Sequence, residues 1–161
     1  MSSTLGITEQ SGFTAIGEEL LRTVDAAVPR LLSLTESRAA QPRAPGKWSP
    51  KQVMGHLIDS AANNHQRFVR AQDGAELVSP GYAQDDWVSS QGYQESSWDD
   101  IITLWRAYNR HLAHVVGRIP EDRREVRCTI GTSAPITLAF LAYDYVVHLR
   151  HHLAQAGTLP D

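Results

Sequence analysis

Four stretches of this chain repeat apolar residues at spacings of three and four, and each is bounded by residues that cannot continue a helix. That pattern restricts the fold to packed amphipathic helices. The first stretch, Thr14 to about Thr35, carries Leu20, Val24, Ala27, Val28, Leu31 and Leu32, with Glu18 and Glu19 in its early turns and Pro29 as a candidate kink. The second opens at Trp48-Ser49-Pro50-Lys51-Gln52, where Ser49 is the N-cap, Pro50 the first helical residue and Gln52 the closing member of a capping box. It runs to about Ala71, and Val53, His56, Leu57, Ser60, Ala61 and Asn64 share the stripe predicted to face inward. The third starts at Ser97-Trp98-Asp99-Asp100 and continues through Ile101, Leu104, Trp105, Tyr108, Leu112, Val115 and Val116 to about Ile119, before Pro120. Pro135 is expected to open the last helix, apolar along Leu138, Phe140, Leu141, Tyr145 and Val146, with Gly157 as its stop.

The connections are long. Residues 37–47 hold Pro42, Pro45 and Gly46, and residues 121–134 are polar except for a short stretch, Val126 to Ile130, that suits an extended backbone. Between Gln72 and Ser96 lie Gly74, Pro80, Gly81 and Gly92 among acids and the aromatics Tyr82, Trp87 and Tyr93, with no sustained period. Helix connections in bundles usually take two to eight residues, so one of about 25 is either a lid over a site or a crossover between parallel helices. The expectation is an all-α, four-helix bundle, antiparallel or mixed, forming a single domain over all 161 residues, with residues 1–13 poorly ordered.

Composition narrows the function. With 42% hydrophobic and 20% charged residues and a formal net charge of −3, nothing marks nucleic acid as the partner. Arg67 and Arg70, and the cluster Arg123, Arg124 and Arg127, read as solvated surface. Cys128 is the sole cysteine, which rules out an internal disulfide or a thiolate zinc cluster, and its expected role is that of a small buried hydrophobe. No leader or membrane-spanning run is apparent, so the expected location is cytoplasmic.

His148 and His152 are four residues apart, which in a helix turns one imidazole only about 40° from the other. Taken alone, the pair fits either metal ligation or a polar histidine cluster. The inward-facing His56 favours ligation, because an unpaired polar ring on an apolar face is costly and one ion satisfies all three. His151 with His148, at a spacing of three, is the alternative pair. His65 is half a helical turn out of phase with His56 and should point away, while His111 and His114, three apart in the third helix, are weighed as ligands against partly buried structural residues, with room for His111 to face inward beside Tyr108. One turn before His148, Asp144 is placed to buttress an imidazole, to act as a base or to pair with an arginine. Tyr145 and Gln155 lie close in angle to the histidine face, and Asp59, Ser60 and Asn63 flank His56 as candidate pocket walls.

The run Trp48-Ser49-Pro50-Lys51-Gln52-Val53-Met54-Gly55-His56-Leu57-Ile58-Asp59-Ser60, followed far downstream by His148-Leu149-Arg150-His151-His152-Leu153-Ala154-Gln155, resembles the DinB-like (DinB/YfiT) superfamily. That resemblance implies a four-helix bundle with a crossover after the second helix, often a homodimer, and a divalent ion held by the equivalents of His56, His148 and His152. The chain departs from the common pattern at Leu149, where many members carry an acid, and at Gln52, where glutamate is frequent. Neither change removes a ligand. Members include thiol-dependent S-transferases, maleylpyruvate isomerases that use a low-molecular-weight thiol, and metal hydrolases of the YfiT type.

Three neutral imidazoles leave a divalent ion, zinc or nickel by expectation, with positions free for water or substrate. The sequence therefore points to a metal that activates a thiol or water against a small-molecule substrate, S-transferase-like or hydrolytic, with Asp144 and Tyr145 as candidate proton carriers and a low-molecular-weight thiol as possible cosubstrate. The competing class is a non-catalytic bundle that binds a small ligand, with a structural ion or none.

Overall fold

The computed structural model describes residues 5–157. Its four long helices are α1 (Phe13–Leu32), α3 (Pro50–Arg70), α5 (Trp98–Gly117) and α6 (Leu138–Gln155). Each of the four periodic stretches is one of these helices. Pro29 does not interrupt α1, which runs on to Leu32, and Thr35 instead caps a one-turn helix α2 (Glu36–Ala39) by accepting from the Arg38 amide. The Ser49 capping box forms as the sequence demands, with Ser49 and Gln52 each accepting from the other's backbone N–H.

Chain direction follows from the contacts at the helix ends. The Lys51 ammonium, near the start of α3, donates to the Ser96 carbonyl just before α5, while Arg123, just after α5, donates to the carbonyl of Ala71 at the end of α3. The helices α3 and α5 are therefore parallel. At the start of α1 the Phe13 amide donates to Glu121 beyond the end of α5, and the Trp98 indole donates to Leu31 at the end of α1, so α1 runs against α5. The last helix also runs against α3 and α5, since Leu138 donates to Val126 at its start and Arg43 reaches Ala154 near its end. Packing joins α1 to α5 and α6, and α3 to α5 and α6, which puts α1 diagonal to α3 and α5 diagonal to α6. Loop length alone could not fix this order.

The 71–97 connection is the crossover between parallel neighbours. It is more regular than its composition suggests, containing strand β1 (Glu76–Ser79), helix α4 (Gln84–Gln91) and a 3-10 turn at Tyr93–Glu95. Strand β1 pairs in parallel with β2 (Arg127–Ile130), which pairs antiparallel with β3 (Ile136–Thr137). The extended reading of Val126 to Ile130 holds. Pro135, however, precedes β3 rather than opening the last helix, and Thr137 is the N-cap of α6 through its hydroxyl and the Phe140 amide. No sequence period marks β3, which has two residues, or β1, whose four residues pair with a strand some fifty positions away.

One core fills the bundle, with Phe13, Leu20, Leu31, Met54, Leu57, Phe68, Trp105, Leu112, Leu149 and Leu153 fully enclosed. Of the segment expected to be poorly ordered, Ile7 is buried against this core and Phe13 opens α1, while residues 1–4 lie outside the described residues. The arginines read as solvated surface are mostly not so. Arg67 is only 7% exposed, Arg123 closes the end of α3 by donating to Ala71 and Gly74, and Arg124 donates to Ser11 and Glu9. Cys128 is buried, and desolvation pushes its thiol up to about 11. No described helix is long and apolar enough to cross a membrane.

Candidate metal centre

Because α3 and α6 are antiparallel neighbours, the second turn of one meets the last turns of the other, and His56 meets His148 and His152 there. The Nε2 atoms of His56 and His148 are 3.2 Å apart, and one ligand atom from each of the three rings lies within 4.8 Å of the others. Ring centroids are separated by 5.2 Å for His56–His148, 4.6 Å for His56–His152 and 4.5 Å for His148–His152. His56 is fully buried, and Trp48 leans on it with ring centroids 5.2 Å apart.

Electrostatics keep the rings neutral. Burial, reinforced by the two neighbouring imidazoles, lowers the His56 pKa to about 3, and burial followed by His152 and His151 lowers that of His148 to about 4. His152 is lowered too, chiefly by burial, against the opposing effect of Gln155. The Gln155 amide oxygen lies 2.7 Å from His152 Nδ1, which fits a ring protonated at Nδ1 and leaves Nε2 as the free acceptor. Gln155 also contacts His151 Nε2 at 3.0 Å, so His151 stands outside the cluster, exposed, as a neighbour of the supporting amide.

The other candidates separate clearly. The Tyr145 hydroxyl is buried and donates to Asn109 Oδ1 at 2.6 Å, and burial raises its pKa. Asp144 keeps much of its surface in solvent, makes no hydrogen bond or ion pair among the described residues, and has a pKa raised by partial desolvation. It therefore neither buttresses an imidazole nor pairs with an arginine. Asp59 is buried behind the cluster, where Tyr93 and Gln91 both donate to its Oδ1 at 2.7 Å; burial still raises its carboxyl. Asn63 is turned back to the Asp59 carbonyl. His111 is exposed rather than inward, edge-on to His65, which contacts the Tyr108 hydroxyl at 3.0 Å.

Two cavities flank the histidines. The larger, about 400 Å³, lies outside them against Arg43, Lys47, Trp48 and Gln155. The smaller, about 160 Å³, has His148 in its own wall, together with Ser60, Asn64, Arg67, Tyr82, Asp144 and Tyr145. Of the two, the smaller is the one lined by a ring of the cluster. Tyr82 and Gln84 come from the crossover, which thus walls the site as well as joining two helices. Tyr82 belongs to the aromatic connection read as a lid or crossover, and Trp48 to the motif that carries the family resemblance, whereas sequence reasoning missed Arg67. Arg67 falls one turn beyond Asn64 on the inward stripe of α3, a signal that its charge concealed.

A family model for the DinB superfamily matches residues 19–156. The chain belongs to the DinB superfamily. Among its relatives, a protein of Oceanobacillus iheyensis named "Putative metal-dependent hydrolase" is 22% identical over 122 residues, 76% of this chain and 70% of that one. One of the same name from Geobacillus thermodenitrificans is 23% identical over 139 residues, 84% of this chain and 76% of the relative. The fold matches that of YfiT from Bacillus subtilis, described as "a probable metal-dependent hydrolase with an unusual four-helix bundle topology", with a TM-score of 0.74 and 21% identity over 90% of this chain and 82% of that chain.

Proposed function

We propose that this DinB-superfamily protein is a metal-dependent hydrolase of a small molecule, with a divalent cation held by His56, His148 and His152. The observation that carries the reading is the convergence of imidazole nitrogens from two helices. Zinc–nitrogen bonds of about 2.0–2.1 Å in tetrahedral geometry set two nitrogens about 3.3–3.4 Å apart, and the His56–His148 spacing of 3.2 Å matches that requirement. Two neutral rings at that distance either share one Nε2–H···Nε2 hydrogen bond or, as Nδ1–H tautomers, turn both Nε2 lone pairs on one cation, and the third ring beside them favours the cation.

When bound, the ion supplies Lewis-acid activation of water at neutral pH. The chain's own residues do the rest. Gln155 fixes the tautomer of His152, the apolar surroundings of His56 keep its ring a ligand, and the cavity beside His148 seats the substrate. At the rim of that cavity Asp144 has a free carboxylate of raised pKa and is placed to take up or return a proton. Water is favoured over a thiol as the nucleophile by the hydrolase names of the relatives, and Cys128 is too deeply buried to supply a thiol.

Metal analysis of protein prepared without a histidine tag tests the reading. One equivalent of zinc or nickel in the wild type, lost in His152→Ala, together with ester or amide hydrolysis that follows metal content, is the expected result. Wild-type affinity in His152→Ala would remove the metal centre, and turnover only with added low-molecular-weight thiols would reassign the reaction to S-transfer.

A further inference from the structure

Arg67 is a buried cation without a carboxylate. Its guanidinium presents five N–H donors, and among the described residues two contacts meet it: the Asn64 amide oxygen at 3.4 Å and the Pro80 carbonyl at 3.2 Å. Its Nε is enclosed with no partner, and none of the ion pairs among the described residues includes it. Burial of an uncompensated charge is expensive, and proteins ordinarily place an acid beside it. Here the guanidinium lines the same cavity that His148 walls.

We propose that Arg67 is the anion subsite of this cavity and that the substrate is a small monocarboxylate, its carboxylate on Arg67 and its reacting bond toward His148. The inference rests on the hydrolase reading for the word substrate, but the binding it describes needs no metal. Three features select the class. A single guanidinium balances a single negative charge, and its planar fork matches a carboxylate in bidentate fashion. Asp144 in the same wall adds a repulsion that grows with the ligand's charge, which disfavours a phosphate dianion more than a monocarboxylate. A volume of about 160 Å³ admits a molecule of only a few carbons.

Calorimetric titration of the zinc-loaded protein with propionate, propionamide and inorganic phosphate tests this. Propionate is expected to bind, and propionamide and phosphate to bind about tenfold more weakly or not at all, as the loss of a charge-assisted pair requires. Arg67→Met should weaken propionate about tenfold while keeping its zinc, and the metal-poor His152→Ala should retain the Arg67-dependent part of the binding. Equal propionate affinity in Arg67→Met and wild type overturns the proposal, as does phosphate binding as tight as propionate. Since Arg67 also holds the Pro80 carbonyl, the wild-type protein supplies an independent reading: the Arg67 Nε–H resonance should move with half-saturation equal to the calorimetric one. A resonance that does not move overturns the subsite too. Failure of zinc uptake with propionate binding intact would remove the metal reading and leave the subsite standing.

Discussion

His56 and His148 bring their Nε2 atoms to 3.2 Å across 92 positions of chain, and both are held unprotonated by burial. In the unfolded chain these rings take up protons near their ordinary value of 6.5, whereas in the folded protein they resist protonation down to about 3 and 4. The unfolded state therefore binds more protons between those limits, and stability rises with pH across that window. Metal-free protein should be most stable above about pH 6.5 and lose stability as the pH falls below it. Urea unfolding from pH 8 to pH 5 measures this. The slope should shrink in His56→Asn/His148→Asn, and an equal slope in that variant would contradict the assignment.

Gln155 should matter to the metal where His151 does not. The first accepts from His152 and fixes its tautomer, whereas the second only touches Gln155. Loss of such a supporting partner typically weakens metal affinity about 10- to 100-fold, and the exposed setting puts Gln155→Leu at the lower end. Competition against a chelating dye should show that loss in Gln155→Leu and near wild-type zinc affinity in His151→Ala.

Gly55 should tolerate no side chain. A Cβ there would stand 2.1 Å from the Tyr93 ring, whose hydroxyl holds Asp59. Gly55→Ala must push the ring aside and break that bond, at a cost of about 1–3 kcal/mol from overpacking. The thermal midpoint measures it, and a midpoint equal to wild type would show that Tyr93 moves freely.

Asp144 and Tyr145 should part company under mutation. Tyr145→Phe removes a buried hydrogen bond and leaves Asn109 Oδ1 unsatisfied, costing about 1–3 kcal/mol, yet kcat should change little because that hydroxyl faces Asn109. Asp144→Asn should leave stability unchanged within about 0.5 kcal/mol and lower kcat about 100-fold or more. The opposite pattern, a loss of kcat confined to Tyr145→Phe, would hand the proton to the tyrosine.

The four long helices and the histidine trio were legible because each is written locally. Ser49-Pro50 and Gln52 announce a helix start, and a spacing of four puts His148 and His152 on one face. Of the short sheet only the stretch around β2 was legible, since Glu76–Ser79 becomes a strand only through its parallel partner Arg127–Ile130. Helix α4 escaped for a related reason: only Val88 of its eight residues is buried, so it has scarcely any apolar period. Arg67 was misread because charge normally reports solvent, and no local rule distinguishes an arginine that closes a cavity from one on the surface.

The bond from the Phe13 amide to Glu121 spans 108 positions and does for α1 what Gly12, lacking a side chain, leaves undone. The first turn of that helix therefore gains its side-chain cap only when a residue a hundred places later is in position. The opening of that turn and the release of the short 3-10 segment at Glu121–Arg123 are consequently coupled, and native-state hydrogen exchange should show Glu121→Ala lowering the protection of the first turn of α1.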